Sequence, residues 1–129
     1  MKGVSLKQII AVTLWENRIS PVFDASRSVL LIESESGQEI NRSEVLFKSD
    51  SPHEKAHELS ELGVHTVICG AISESYFSAL ESAGIHVEAF IAGEADQIVC
   101  AILKGKKING KYCMPGCGRK RQAFRKEGI

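Results

Sequence analysis

Residues 9–26, IIAVTLWENRISPVFDAS, set the frame for the rest of the chain. Ile9, Ile10, Val12 and Leu14 form a short apolar run rich in β-branched side chains, the pattern of a strand buried on both faces rather than one face of a helix. Such a strand belongs at the centre of a sheet. Hydrophobicity then collapses over Trp15, Glu16, Asn17 and Arg18. The carboxyl end of the strand thus delivers a polar loop with Arg18, Ser20 and Asp24 to one edge of the sheet, where open α/β folds usually place ligands.

Outward from this strand, Ser28 to Ser34 (SVLLIES) reads as a second strand, and the turn-like Glu35-Ser36-Gly37-Gln38 leads to a third around Glu44 to Lys48. These three form an antiparallel meander. Ser51-Pro52-His53-Glu54 is a helix start, with Ser51 as N-cap, proline at the first helical position and Glu54 completing a capping box. Ala56, Leu59 and Leu62 supply its apolar face and Gly63 its stop. Val64 to Cys69 is a fourth strand ending at Gly70, and Ser73 caps a helix that turns Phe77, Leu80 and Ala83 to the sheet until Gly84. Ile85 to Ile91 is a fifth strand, and Glu94 to Lys104 a last helix with Ala95, Ile98, Val99, Ile102 and Leu103 on one stripe. Short strand–helix–strand connections imply parallel pairing with right-handed crossovers. The fold class is therefore α/β: a mixed five-stranded sheet, an antiparallel meander followed by a parallel βαβα unit, in strand order 3-2-1-4-5.

At 129 residues and 43% hydrophobic content the chain can bury a core without disulfides or metal. No run approaches a membrane span, and MKGVSLKQ leads into a core-like strand rather than a cleavable signal, so a soluble cytoplasmic protein is expected. The net charge of zero hides an asymmetry: residues 1–103 carry 15 acids against 7 Lys and Arg, net −8, whereas 104–129 carry 9 bases against Glu127, net +8. From Gly105 onward periodicity disappears. Residues 1–105 read as the α/β domain and 106–129 as a flexible, basic, cysteine-containing tail.

The order of elements, with the strings IAVTLWENRISPVFDASR and ELGVHTVICGAISESYFSALESAGIHV, resembles the dinitrogenase iron-molybdenum cofactor biosynthesis family over roughly residues 8 to 105. CMPGCGRKR resembles a tail seen in one branch of it. The resemblance implies a ribonuclease-H-like three-layer fold and a non-catalytic role in binding or carrying an iron-molybdenum or related metal-sulfur cluster. Many members place a histidine in the loop matching SPVFDAS, in a string like S-x-H-F-G; here Val22 stands at that position, so no histidine ligand carries over.

A sheet that changes winding direction beside its first strand should open a crevice there. Its walls would be Trp15, Asn17, Arg18 and Ser20 on one side and Cys69, Gly70, Ala71 and Ser73 on the other, with the amides of the Ser73 helix favouring an anionic cluster. Gly70 and Ser73 can equally make only a tight turn and a cap. Arg18 could clamp an anion or be solvated; Asp24 would repel one, and is expected to pair with Arg18 or Arg27 or to cap a turn. Trp15 could shield the crevice or pack over the sheet edge. Cys69 suits core packing, with metal ligation open because it ends a strand. Cys113 and Cys117, four apart in a Pro-Gly turn beside Arg119, Lys120 and Arg121, could converge on one soft metal or cluster, or form a disulfide. His53, His57, His65 and His86 show no ligand spacing.

The leading reading is a cluster carrier or chaperone, with Cys113 and Cys117 as a second clamp and cluster donor or acceptor proteins as partners. The alternative is a nucleic-acid module using the basic tail, against which stand the acidic body and only Tyr112 and Phe124 for stacking. An enzyme is not expected: the first strand has no carboxylates for two-metal nuclease chemistry, and no phosphate loop or nucleophile elbow is present.

Overall fold

The computed structural model describes residues 7–106, 108 and 112. In chain order its elements are β1 (Lys7–Trp15), β2 (Arg18–Ile19), β3 (Ser28–Glu35), β4 (Gln38–Leu46), α1 (Pro52–Glu61), β5 (Thr66–Ile68), α2 (Glu74–Ser82), β6 (His86–Glu88) and α3 (Ala95–Leu103), with a single turn of 3-10 helix at Phe23–Ala25. The strands form one mixed six-stranded sheet, ordered β4-β3-β1-β5-β6, with β2 paired to β1 off that path. β2, β3 and β4 run antiparallel to their neighbours; β5 and β6 join in parallel.

The apolar run that opens the chain occupies the middle of the sheet, and its alternation decides the layers. Ala11 faces a core shared with α1 and α2 that includes Val29, Leu59, Val67, Phe77 and Leu80. Ile10 and Val12 face a second core with Ile32, Ile68, Ile98 and Val99, under α3. Helices therefore cover both faces, giving three layers.

Several boundaries differ from the sequence reading. Arg18 and Ile19, read as loop, fold back on Trp15 and Leu14 as β2, through a two-residue turn in which Glu16 is left-handed (φ 59°). β4 begins at Gln38, not near Glu44, because every residue from Gln38 to Glu44 is exposed and no apolar alternation betrays the strand. The fifth strand of the sequence ends at Glu88, before Phe90 turns left-handed (φ 62°). The packed body also passes the expected boundary at 105: Ile108 is buried in the α3 core, and the Tyr112 carbonyl accepts from the Ala92 amide at 2.6 Å. Cys113 and Cys117, with the rest of the expected tail, lie outside the described residues.

Ser51 caps α1 as expected, its side chain accepting from the Glu54 amide. The buried face of α1 is Lys55, Ala56 and Leu59, while Leu62, past the helix end, is 37% exposed. Lys55 is the unexpected member. Its side chain is wholly buried, and Nζ donates to the carbonyls of Phe23 (3.3 Å), Asp24 (3.0 Å) and Ser26 (2.9 Å). Three donors meet three acceptors. The rings of Phe47, Phe23 and Tyr76 surround the ammonium at 4.8, 5.4 and 5.5 Å, and Asp50 lies 3.8 Å away. Burial pulls its pKa below the ordinary lysine value, with Asp50, Asp24 and Glu58 acting in the other direction. Lys55→Met keeps the aliphatic stem but leaves three carbonyls without donors, so urea unfolding should show a loss of about 3 kcal/mol. A loss below about 1 kcal/mol would show that the ammonium is not what holds this turn.

Candidate ligand-binding groove

The crevice predicted between the β1 loop and the β5 loop is closed by the protein's own backbone. The Ala71 amide donates to Pro21 (2.8 Å), the Phe23 amide to Ala71 (2.7 Å), and Val22 and Ala71 form a parallel bridge. A Cβ on Gly70 would sit 2.4 Å from the Pro21 carbonyl oxygen and 2.5 Å from that of Ser20. The close approach that Gly70 permits is thus to the chain itself, not to a ligand. At the start of α2, the Ser73 amide donates to the Asp24 carboxylate at 3.1 Å, so an internal anion occupies the helix end expected to attract an external one. Gly70, Ala71 and Ser73 belong to a structural seam rather than to a binding crevice.

The hairpin tip is fastened as well. The Asn17 carbonyl accepts from the Ala95 amide at 2.9 Å, which caps α3, the Ile19 amide donates to Gly93 at 3.0 Å, and Arg18 bridges Glu94. Asn17 therefore acts through its backbone. Asp24 pairs with neither Arg18 nor Arg27, and among the described residues both guanidiniums lack a hydrogen bond or ion pair.

What remains open lies outside the seam, at the carboxyl end of β1. A groove of about 490 Å³ runs between Trp15 and the 3-10 turn, lined by Ser20, Val22, Ser26 and Arg27 among others. Trp15 is 60% exposed and Val22 41% exposed, so both apolar surfaces face it uncovered. The hydroxyls of Ser20 and Ser26 donate to the Val22 carbonyl at 3.3 and 3.0 Å. Those donors are committed to the turn, which leaves Arg27 as the groove's cation, opposed by Glu16 on the rim. Of the seven residues predicted to bind a cofactor, Trp15 and Ser20 line this groove; Arg18 stands beside it on β2.

The model of the dinitrogenase iron-molybdenum cofactor family matches residues 7–105, most of the chain. The chain belongs to that family. Its fold is shared with the crystal structure of a protein named PH0822, at 20% identity over 81% of this chain and 98% of that one, TM-score 0.73. It is also shared with a Methanocaldococcus jannaschii protein provisionally described as a dinitrogenase, at 15% identity over 78% and 92%, TM-score 0.64. A Thermotoga protein provisionally described as a NifB protein matches at 19% identity over 84% and 99%, TM-score 0.61. No curated protein matches the chain.

Val22, which stands where the family resemblance would have put a histidine, is exposed in the groove and forms part of its apolar wall. Arg27 is the residue the sequence reading missed as a site candidate. Its signal was its place in the string FDASR, just past the loop already singled out. Cys69, predicted as a possible metal ligand, is fully buried among core side chains, and burial pushes its thiol well above the usual cysteine range. A group held protonated and unreachable is a packing residue. Cys100 is exposed, and no three His, Cys, Asp or Glu side chains converge among the described residues. His65 is structural: its Nδ1 accepts from the Ile9 amide at 3.1 Å.

Gly70→Ala should unfold the protein at markedly lower urea, by more than about 3 kcal/mol, because backbone rather than a flexible side chain must retreat. A ligand-approach role for Gly70 would instead leave stability unchanged. Asp24→Ala should cost about 1 kcal/mol by the same measurement, as the loss of a helix cap does.

Proposed function

We propose that the protein is a non-catalytic carrier or chaperone of an iron-molybdenum or related metal-sulfur cluster, received from one protein and passed to another. The cargo sits in the groove at the carboxyl end of β1. The observation that carries this reading is an apolar-walled groove in which Arg27, without a hydrogen bond or ion pair to its guanidinium among the described residues, stands opposite exposed Trp15 and Val22, on a chain of this family. Sulfide-rich clusters are anionic and soft, and suit a guanidinium and polarisable walls better than hard oxygen ligands. The sheet order β4-β3-β1-β5-β6 also supports the ribonuclease-H-like label for the fold.

Covalent ligation would come from the tail. Tyr112 is tied to Ala92, whose neighbour Gly93 accepts from Ile19 of the β2 hairpin, so Tyr112 sits beside that hairpin. Cys113 is the next residue in sequence, and the five peptide steps from Tyr112 to Cys117 span at most about 17 Å when extended. Two thiolates there, in a run of Arg119, Lys120 and Arg121, can close over a groove-bound cluster.

Among the described residues no helix is long and apolar enough to cross a membrane. The function is tested by anaerobic reconstitution with iron, sulfide and tetrathiomolybdate, followed by metal analysis. Trp15 is the sole tryptophan, so its fluorescence should be quenched on loading. Arg27→Ala should weaken binding by about tenfold, the worth of one charge-assisted contact. Cys113→Ser/Cys117→Ser should strip metal after desalting. Protein that elutes metal-free, with unquenched Trp15, under every loading condition would end the carrier reading.

A further inference from the structure

Among the described residues β4 is an edge of the sheet, nine residues long and exposed along nearly its whole length. A row of unpaired amides and carbonyls of that length is a template for another strand unless it is covered or charged against pairing. Two of the chain's large exposed apolar side chains, Ile40 (52%) and Leu46 (67%), lie on it. The charges along the strand select what can pair with it.

We propose that β4 pairs antiparallel with β4 of a second copy, with the twofold axis at Ser43, so that the two sheets run on as one. Symmetry narrows the choices. A twofold axis normal to a continuous sheet keeps each side chain on its own face, and since faces alternate along a strand, the axis must pass through a residue rather than between two. Centring on Arg42 sets arginine against arginine, and centring on Glu44 sets carboxylate against carboxylate. Centring on Ser43 sets Arg42 of each copy opposite Glu44 of the other, and Asn41 opposite Val45, all within the regular stretch 41–46; Ile40 stands at the bulge where β4 shifts register against Glu33 and Ser34 and takes no place in this ladder. Opposite charges directly across an antiparallel pair stabilise it, and like charges oppose it.

The intramolecular contacts of β4 are compatible with this register. On β3, Ile32 and Leu30 stand opposite Arg42 and Glu44, so these two side chains share the α3 face of the sheet. The Arg42 guanidinium is held by Glu39 at 2.9 Å and by Asp96 at 2.6 Å, which fixes where its charge sits beside the strand. Those acids hold its pKa above the ordinary arginine value, so the charge is permanent. Among the described residues Glu44 has no hydrogen bond or ion pair. In this register the second copy's Arg42 supplies a cation directly across from it.

The test uses full-length protein with Cys100, Cys113 and Cys117 changed to Ser, so that added thiols report alone. Ser43→Cys should form a disulfide-linked dimer under mild oxidation, since residues on the axis face each other at about 4.5–5.5 Å between Cα atoms, within disulfide reach. Gln38→Cys lies ten residues from its own copy in this register and should not cross-link. In sedimentation equilibrium, Glu44→Arg should weaken the wild-type dimer by about tenfold, through two like-charge pairs. Glu44→Arg mixed with Arg42→Glu should form heterodimers, because all-basic then faces all-acidic. The proposal is overturned if wild type stays monomeric at every concentration. It is equally overturned if Glu44→Arg leaves the dimer intact, or if Gln38→Cys cross-links as well as Ser43→Cys.

Discussion

One ammonium organises this protein. Lys55 reaches from α1 and gathers the carbonyls of Phe23, Asp24 and Ser26 in the 23–26 turn, with three aromatic rings closing around it. Without a buried donor, carbonyls converging in this way would carry an unanswered desolvation cost, and the turn would have no reason to fold inward. With it, the chain after β2 is pinned down, Phe23 enters the core, and Val22 and Arg27 on either side are left facing outward. A charge is costly to bury, so its use here sets conformation rather than adding bulk stability.

That single fixture has two consequences for function. It presses Pro21 to Phe23 against Ala71 and so fills the crevice at the sheet's switch point, the place where open α/β folds usually take ligands. It also sends Asp24 to the start of α2, where its carboxylate accepts from the Ser73 amide and takes the place of an external anion. The open surface at this end of the sheet is thereby displaced outward, from the switch point to the groove between Trp15 and the turn. One side of the loop is a structural plug, and its other side is the wall of the groove proposed to hold the cargo.

Much of this was legible in advance, for reasons that can be named. The β-branched run at Ile9 to Leu14 marks a central strand, and the Ser51-Pro52 pair marks a helix start, because both signals are local. β4 escaped because an edge strand exposed on both faces has no hydrophobic period. Lys55 escaped because nothing local distinguishes a lysine aimed at water from one aimed at three distant carbonyls; Phe23 lies far off in sequence, and only the fold brings it near. Gly70 was correctly singled out as a point of close approach, but sequence does not say what approaches. Arg27 was overlooked in favour of Arg18, which sits nearer the polar collapse of the first loop but belongs to the fastened hairpin.

The proposal of a sulfur-rich anionic cargo rests on membership of the dinitrogenase iron-molybdenum cofactor family and on Arg27 in the groove. The most direct measurement is an amide-shift titration of 15N-labelled protein with tetrathiomolybdate, which is diamagnetic and leaves every resonance readable. Shifts confined to Trp15, Glu16, Val22 and Arg27, with Ala71 to Ser75 unmoved, are the predicted result. Shifts centred on Gly70 to Ser75, with the Trp15 to Arg27 groove silent, would place the cargo in the seam and contradict this account.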